Sequence, residues 1–223
     1  MNGAWELSMP TDRRTRKRLV TRQAISDAAT RLFIARGFDN VTVDEIAEAA
    51  DVGRMTVFNH FPRKEDMFFD RDEEGREKLL EALRQRDANV APIEAIRRLA
   101  HQAATEEQPY IIFFPGSQNF VETIEKSPTL IARARAIRDE LAQFVAVTLA
   151  ESVGREPTDP DAHLAANLVL ATWTVAFIQA HRVYRESQDA GKARSTFLGV
   201  IDRGSRGIEA AMAGTPYAQA SLS

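Results

Sequence analysis

The stretch VGRMTVFNHF, residues 52–61, decides the fold of this chain. At 100° per residue, Val57 and Phe61 point to one side of a helix with Phe58 beside them, and the more polar side chains point elsewhere. A helix of about two turns is marginal in water on its own. The stretch therefore predicts a short helix that packs through its apolar side and leaves a polar face uncovered.

The residues before this stretch predict two supporting helices. The first is predicted to run to about Arg36, because apolar residues recur at i, i+3, i+4, i+7 and i+8. Gly37 follows as the left-handed stop residue, and Phe38 is placed to contact the helix end. Those residues are Ile25, Ala28, Ala29, Leu32 and Phe33.

A capping box marks the start of the second helix. Residues 42–45 read TVDE, so that the Thr42 hydroxyl and the Glu45 carboxylate can each accept the other residue's backbone N–H. Val41 and Ile46 occupy the two positions of a hydrophobic staple. We predict a short helix that ends near Ala50.

A three-residue turn then leads into the quoted helix. Asp51 tolerates the left-handed conformation at a helix end, and Gly53 is an acceptable N-cap for a helix that begins at Arg54. Helix, short turn and helix form a helix-turn-helix, whose second helix enters the DNA major groove. The alternative is a surface helix with a solvated polar face.

The segment AISDAATRLFIARGFDNVTVDEIAEAADVGRMTVFNHFPRKEDMF resembles the DNA-binding region of the TetR family of one-component bacterial regulators. The resemblance covers about residues 22–68 and rests on a first helix ending in Gly-Phe, then T-x-x-x-I-A-x-x-A, V-x-x-x-T-x-F-x-x-F and K-E-D. It implies an all-α fold of about nine helices, with an N-terminal helix-turn-helix domain and a C-terminal helical domain for ligand binding and dimerisation.

The resemblance also implies which residues meet DNA. Arg54 suits guanine, Asn59 suits adenine, and Met55 could touch a thymine methyl group, as could the methyl of Thr56. The other candidates are expected at the phosphate backbone. The predicted DNA-binding residues are Arg22, Thr42, Arg54, Met55, Thr56, Phe58, Asn59, His60, Arg63 and Lys64.

Several positions depart from the family pattern. Asp51 replaces the usual turn glycine and places an acid near DNA, and Gly53 replaces a capping serine. Phe58 lacks the hydroxyl of the usual tyrosine, which removes a phosphate contact worth about 1 kcal/mol. Arg63 stands where a capping serine is common and could supply a phosphate contact instead.

Charge and composition favour a nucleic-acid partner. The net charge of the chain is −3, yet residues 11–22 hold six basic residues against Asp12 alone. Such a basic arm is a common footprint for nucleic acid, or else a solvated, disordered tail. The chain has no cysteine. Nothing at the start resembles an apolar leader, and the apolar run that begins at Leu164 falls short of a membrane span. We therefore expect a cytoplasmic protein.

The rest of the chain predicts six more helices. They run from about Lys64 to Arg86, from Pro92 to before Gln108, over a short stretch capped by Ser117, from Pro128 to Val153, from Pro160 to Ser187, and from after Asp189 to Met212. We predict a flexible basic arm over 1–20, the helix-turn-helix domain over 21–64, the effector-binding and dimerisation domain over 65–214, and a flexible tail over 215–223.

The last two helices predict a homodimer. Residues 164–180 are apolar nearly all round, so this helix should be buried on more than one side. The last helix carries a stripe of Val200, Gly204, Gly207 and Ala211, which indicates close helix approach. Both features fit a four-helix bundle formed with a partner, as the TetR resemblance also implies, and two recognition helices would then bind a palindromic operator. The alternative for the stripe is a contact within one chain.

Aromatic residues of the C-terminal domain are candidates for a site that binds a small apolar effector, or they form ordinary core. A similarity to mycofactocin-associated regulators implies an acyl-CoA-like effector, whose phosphates could meet Arg97, Arg98, Arg133 and Arg135. The candidate ligand-binding residues are Phe113, Phe114, Phe120, Phe144, Trp173 and Phe177.

Two other functions are alternatives for this chain. An all-α enzyme is disfavoured because the four histidines are far apart in sequence and no nucleophile elbow or phosphate loop is present, so that we assign no catalytic residue, metal ligand or cofactor. A DNA-binding protein controlled by a protein partner, or a purely architectural one, is the remaining alternative. Stabilisation of the protein by a small molecule would argue against it.

Overall fold

The computed structural model describes residues 13–70, 72–108 and 111–220, and every regular element in them is helical. The prediction of an all-α fold with about nine helices is confirmed for this part of the chain. The helices are α1 (Arg13–Arg36), α2 (Val43–Ala49), α3 (Arg54–His60), α4 (Asp72–Arg84), α5 (Pro92–Thr105), α6 (Pro115–Glu125), α7 (Pro128–Ser152), α8 (Pro160–Ser187) and α9 (Ala190–Ala211), with 3-10 turns at Phe38–Asn40 and Glu65–Met67.

The chain forms two compact units that divide after Asp70. The first contains α1–α3 and both 3-10 turns, and the second contains α4–α9. The boundary that we predicted after residue 64 therefore lies just before the 3-10 turn Glu65–Met67, which still belongs to the first unit.

The end of α1 follows from local sequence. Gly37 has a φ of 83°, and its N–H donates to the Phe33 carbonyl oxygen at 2.8 Å. A residue with a Cβ would be strained in this conformation. The next residue, Phe38, then folds back on the helix, with ring centroids of Phe33 and Phe38 4.9 Å apart.

The predicted capping box at the start of α2 is present. The Thr42 N–H donates to the Glu45 carboxylate at 2.8 Å, and the Glu45 N–H donates to the Thr42 hydroxyl at 3.3 Å. The staple residues Val41 and Ile46 are both buried. Because the Glu45 carboxylate accepts the Thr42 N–H and lies 2.8 Å from Arg36, its pKa falls to about 2.

Three predicted segments are wrong. The basic arm is not flexible over residues 13–20, because these residues form the first turns of α1, while residues 1–12 lie outside the described part of the chain. No continuous helix begins at Lys64, since the 3-10 turn Glu65–Met67 precedes α4. Helix α6 begins at Pro115, and Ser117 bonds back to Phe114 from inside the helix.

The predicted flexible tail is also wrong over its described part. Tyr217 is completely buried, and its carbonyl oxygen accepts the N–H of Ile93 at the start of α5 at 3.3 Å. Burial of a large aromatic side chain is favourable by area alone, which explains why this segment folds back. Residues 221–223 lie outside the described part of the chain.

The second unit has two apolar clusters. One joins α4, α5, α7, α8, the end of α9 and the residues that follow it, and the other joins α5, α8, α9 and the residues before α6. A charged group also ties α5 to α9, since Asp202 accepts from Arg97 at 2.9 Å and lies 2.7 Å from His101 Nε2.

Helix α8 is less buried than we predicted. Only 28% of its most apolar window lies inside the fold, and Leu164, Val175 and Ile178 are about half exposed. By length and composition α8 is also the one helix of the described residues that could cross a membrane, contrary to our expectation for this run. A single chain covers only one side of α8, so the prediction that this helix is buried on more than one side is wrong for one chain.

The small-residue stripe on α9 is partly an internal contact. A Cβ at Gly204 would lie 2.2 Å from Cγ2 of Thr172 on α8, so this glycine permits close packing of α8 and α9 within one chain. A Cβ at Gly207 would meet nothing within 4 Å. Only the second glycine therefore leaves space beside it.

Candidate nucleic-acid interface

The turn before α3 sets the direction of that helix. Asp51 has a φ of 53°, and the N–H of Val52 donates to the carbonyl oxygen of Ala47 at 3.0 Å. Aspartate is among the residues that enter this region most readily. Gly53 serves as N-cap with an extended backbone and no side-chain bond, as its sequence predicts.

Helix α3 is held through two apolar side chains. Val57 and the following Phe61 are fully buried, whereas Arg54 and Asn59 are exposed and Met55 is 70% exposed. The predicted division between a docked face and an uncovered polar face is therefore present. Thr56, Phe58 and His60 are half-buried between the two faces, and Arg63 is exposed just after the helix.

Arg54 is already oriented by an acid on α2. Its Nη1 lies 2.6 Å from Oδ2 of Asp44, and its guanidinium stands 5.5 Å from the centre of the Phe58 ring. Both charged side chains are more than half exposed, so this ion pair is worth only about 0.2–1 kcal/mol. The guanidinium can therefore exchange Asp44 for a guanine edge at little cost. The sequence showed both residues, but their pairing depends on how α2 and α3 pack.

Arg22, which is partly exposed, has several partners within the first unit. Its guanidinium donates to the His60 carbonyl oxygen at 2.7 Å, lies 2.5 Å from Asp70, and covers the Phe61 ring at 4.1 Å. These contacts join α1 to the end of α3. We infer that Arg22 positions the recognition helix, and its contact with DNA stays a prediction.

Lys64 is likewise engaged inside the unit. Its Nζ donates to the Phe38 carbonyl oxygen at 2.5 Å and stands 4.2 Å from the centre of the Phe38 ring. Desolvation lowers the pKa of this ammonium group. The ammonium group of Lys64 is thus held by an aromatic ring and a carbonyl group, and its contact with phosphate stays a prediction.

Thr42 and His60, which were also predicted to contact phosphate, have a limited capacity to donate hydrogen bonds to it. The Thr42 hydroxyl donates to Glu45 at 2.8 Å, so that its proton is already used in the capping box. The pKa of His60 is lowered by burial and by the nearby charges of Arg18 and Arg22. A neutral imidazole can donate only one hydrogen bond and contributes no charge to DNA binding.

The first turns of α1 present a basic surface that we expected to be unstructured. Its cationic side chains are all exposed on a helix, which fixes their spacing along a phosphate backbone. This surface, here called the α1 basic surface, consists of Arg13, Arg14, Arg16, Lys17 and Arg18.

Three of the six predicted ligand-binding aromatics, Phe113, Trp173 and Phe177, lie in or against one apolar cluster. Phe113 and Phe177 both lie against His181, with ring centroids 5.1 Å and 5.2 Å from it, and Trp173 packs on Phe197 at 5.7 Å. Of the other three, Phe144 packs with the other apolar cluster, Phe114 is 48% exposed, and Phe120 is half-buried on α6. His181 was not predicted at a site, because its aromatic neighbours lie on elements far from it in the sequence.

A separate groove of about 420 Å³ lies between α4 and α5. Its rim is polar, and its apolar floor is formed by Leu99, Ala82 and Ala103. None of the six predicted aromatics lines it. A polar, open groove is a poor site for an apolar effector, because it leaves most of the ligand in water. Among the described residues, no group of three or more acidic, histidine or cysteine side chains could hold a metal ion.

The first unit has a capped helix, a tight turn and a second helix with an uncovered polar face, and it is distinct from a larger helical unit. This arrangement defines a helix-turn-helix DNA-binding protein. Residues 25–70 match the family model of the bacterial regulatory proteins of the tetR family. The chain is also 32% identical over 159 residues to the HTH-type transcriptional repressor BepR of Brucella suis, across 68% of this chain and 76% of that protein. The chain belongs to the TetR family of transcriptional regulators and is not an enzyme.

Two further relatives match over shorter regions. The HTH-type transcriptional regulator TcmR of Streptomyces glaucescens is 37% identical over 83 residues, which is 37% of either chain. MftR of Mycobacterium tuberculosis, named as a mycofactocin biosynthesis regulator, is 46% identical over 57 residues, or 25% of this chain and 29% of that protein. The chain thus aligns with less than two fifths of the length of these two relatives.

Solved structures have the same fold. NalD, the secondary repressor of the MexAB-OprM multidrug efflux pump in Pseudomonas aeruginosa, superposes with a TM-score of 0.52 at 20% identity, over 85% of this chain and 97% of NalD. SmeT of Stenotrophomonas maltophilia in complex with triclosan gives a TM-score of 0.54 at 17% identity, over 84% and 91% of the two chains.

Proposed function

We propose that this regulator is a homodimeric repressor in the cytoplasm, that it binds a palindromic operator through α3, and that a small apolar effector releases it. The observation that carries the proposal is the division of α3 into a buried face and an exposed face with a guanidinium and an amide. The name of the relative BepR, a transcriptional repressor, supports repression as the sign of regulation.

The exposed face of α3 has the groups that base recognition requires. Arg54 can donate two hydrogen bonds to guanine, and Asn59 can donate to and accept from adenine. Met55, 70% exposed at the N-terminal end of the helix, can pack on a thymine methyl group, as can the methyl of Thr56. Arg63 and the α1 basic surface are the proposed phosphate contacts, now that Arg22 and Lys64 have internal partners.

The uncovered apolar side of α8 supports the dimer. Leu164, Val175 and Ile178 are 50%, 48% and 59% exposed in one chain, although all three are large aliphatic residues. An equivalent α8 from a second chain, together with α9, would bury them in a two-fold interface. Open space at Gly207 would admit a close approach by the partner.

The effector is proposed to bind in the second unit and to shift the dimer toward an arrangement with lower DNA affinity. An acyl-CoA-like molecule has little support here. Arg97 and Arg98 pair with Glu94, and Arg133 pairs with Glu140, so that three of the four arginines proposed for its phosphates already have acidic partners. The similarity to MftR covers only a quarter of the chain.

The first experiment is fluorescence anisotropy of the full chain on its own upstream DNA and on scrambled DNA, across a salt series. We expect Arg54→Ala to weaken binding to the operator about tenfold to a hundredfold and to leave binding to scrambled DNA nearly unchanged. Arg31→Ala, which removes the same charge from an exposed position on α1, is the matched control. Equal losses on both DNAs would assign Arg54 to phosphate contact and contradict its proposed base readout.

A ligand titration distinguishes the proposed small-molecule effector from the alternative, in which a protein partner controls the regulator. A small-molecule effector that binds the folded state raises its thermal stability by mass action and lowers operator affinity in the same sample. If compounds raise the melting temperature but leave operator affinity unchanged, the proposed coupling is wrong.

A further inference from the structure

Asp44 is an exposed acid in the helix-turn-helix. It lies in the first turn of α2, two residues after Thr42, and 64% of its side chain is exposed. A carboxylate near DNA repels the phosphates and lowers the affinity, because like charges destabilise a complex. The presence of this acid beside a recognition helix therefore calls for a physical explanation.

The cap of α2 does not explain Asp44. Thr42 and Glu45 complete the capping box between themselves, and Glu45 also supplies a negative charge at the positive end of the helix dipole. The carboxylate of Asp44 instead reaches α3, where its Oδ2 accepts from Nη1 of Arg54 at 2.6 Å. The contact of Asp44 is thus with the side chain that is proposed to read guanine.

Arg54 is restrained by two groups before DNA binds. One is the Asp44 carboxylate, and the other is the Phe58 ring, whose centre lies 5.5 Å from the guanidinium carbon. A long side chain loses conformational entropy when it docks on a base, and a side chain that is already restrained loses less. The two contacts therefore lower the entropic cost of placing Arg54 at one defined base.

The bond to Asp44 leaves an edge of the guanidinium for a base. A guanidinium has five N–H donors, so that one bond from Nη1 leaves the donors of Nε and Nη2 able to reach O6 and N7 of guanine. Arg54 can exchange Asp44 for the base, but this exchange is not required. A phosphate attracts a guanidinium largely through charge, and the adjacent carboxylate of Asp44 offsets that charge.

We propose that Asp44 is a specificity-determining residue, which orients Arg54 toward a guanine of the operator and keeps it from pairing with phosphates of other DNA. This inference rests on the proposed function. It adds an acidic residue to a set of predicted DNA-binding residues that contains none, and it gives this residue a role in selectivity at a cost in affinity.

The test is fluorescence anisotropy of the full chain on its upstream DNA and on scrambled DNA, with wild type and Asp44→Asn compared across a salt series. The substitution removes the charge and keeps the size of the side chain. We expect binding to scrambled DNA to tighten about threefold and the ratio of the two affinities to fall about tenfold, because Arg54 is released to phosphate. The salt dependence on scrambled DNA should steepen by about one phosphate contact.

A double-mutant cycle shows whether Asp44 acts through Arg54. In an Arg54→Ala background, Asp44→Asn should change neither the ratio of affinities nor the salt dependence, since the group that it orients is absent. Glu48→Gln is the matched control, because it removes a carboxylate from an exposed position one turn further along α2. It should leave the ratio unchanged. Circular dichroism and thermal melting of each variant verify its fold.

Three results would overturn the role of Asp44. The first is an equal change in affinity for both DNAs in Asp44→Asn, which is the result of simple charge repulsion. The second is a fall in the ratio that persists in the Arg54→Ala background. The third is a fall of the same size in Glu48→Gln, which would assign the effect to the total charge of α2.

The wild-type protein separates this inference from the proposed function. If it binds upstream and scrambled DNA equally, the proposed function is contradicted, and the inference that rests on it is overturned as well. If it prefers its upstream DNA and Asp44→Asn retains that preference in full, only the role of Asp44 is contradicted.

Discussion

Helices α3 and α8 both leave a face uncovered, but the two faces have opposite chemistry. Helix α3 is seven residues long and exposes Arg54 and Asn59. Helix α8 is 28 residues long and exposes Leu164, Val175 and Ile178. A charged and amide-bearing face suits a polyanion with base edges, whereas an aliphatic face suits another protein surface. This difference fits the two partners that we propose for the chain, DNA at α3 and a second copy at α8.

The two helices also differ in what holds them. Helix α3 depends on Val57 and Phe61 and on the contacts of Arg22, whereas α8 packs along most of its length with α7 and α9. A short helix has few contacts to lose, so single substitutions should affect α3 more than α8.

Phe61→Ala should disrupt the first unit most strongly. Truncation of a fully buried phenylalanine costs about 3–5 kcal/mol, and here it also removes the ring beneath the Arg22 guanidinium. Amide hydrogen exchange should show lost protection in α3 and unchanged protection in α8. Phe114→Ala, at a position 48% exposed, is the control and should have little effect. Equal losses of protection in α3 and α8 would mean that the two units unfold together.

Acid should weaken the second unit through His181. The pKa of this buried imidazole is about 4 in the folded state and 6.5 without burial, so the unfolded state binds more protons between these values. Stability should therefore be complete above pH 6.5 and fall by up to about 3 kcal/mol as the pH decreases to 4. Urea unfolding at pH 7 and pH 4.5 measures this loss. In His181→Phe the loss should shrink, and an unchanged pH dependence there would assign it to other groups.

Ile178→Glu should separate the proposed dimer. A charge on the uncovered face of α8 cannot be buried unpaired against a second copy. Light scattering should show half the wild-type mass, and operator affinity should fall on the order of a hundredfold as two-site binding is lost. Gln179→Glu adds the same charge at the neighbouring exposed position and should retain the dimer. A dimer that survives Ile178→Glu would place the interface elsewhere.

The smallest effect should come from the capping carboxylate of α2. The pKa of Glu45 is about 2 in the folded state and 4.5 for a glutamate without these contacts. The contribution of its carboxylate to the stability of α2 is therefore complete above pH 4.5 and is lost as the pH falls toward 2. Amide protection at the start of α2 should decrease over this window. Glu45→Gln should remove the dependence, whereas Glu48→Gln, at an exposed position of the same helix, should retain it.

The first unit could be predicted almost element by element from the sequence. The capping box at Thr42 and Glu45, the end of α1 before Gly37 and the start of α3 all formed as expected, although Gly37 has a ψ of 147° and is not in the predicted left-handed helical conformation. Each depends on contacts within about four residues, so that its residues appear side by side in the sequence. The break after Lys64 was missed, because helical periodicity continues across it.

The roles of individual side chains were harder to predict. Arg22 and Lys64 have the sequence positions of DNA contacts, yet their partners, the carbonyl oxygens of His60 and Phe38, are 38 and 26 residues away. Long flexible side chains reach whichever acceptor the packing brings near, and sequence spacing does not reveal that choice.

By itself, the sequence determined an all-α chain, a helix-turn-helix and membership in its family, because helix caps, turns and periodicity are local properties. Only the tertiary structure decided which cations face solvent, that Tyr217 packs beside α5, that Gly204 fits Thr172, and that His181 is buried without a partner at Nδ1. These features depend on contacts between segments far apart in the chain, whose pairing is set by the packing of the whole helical unit.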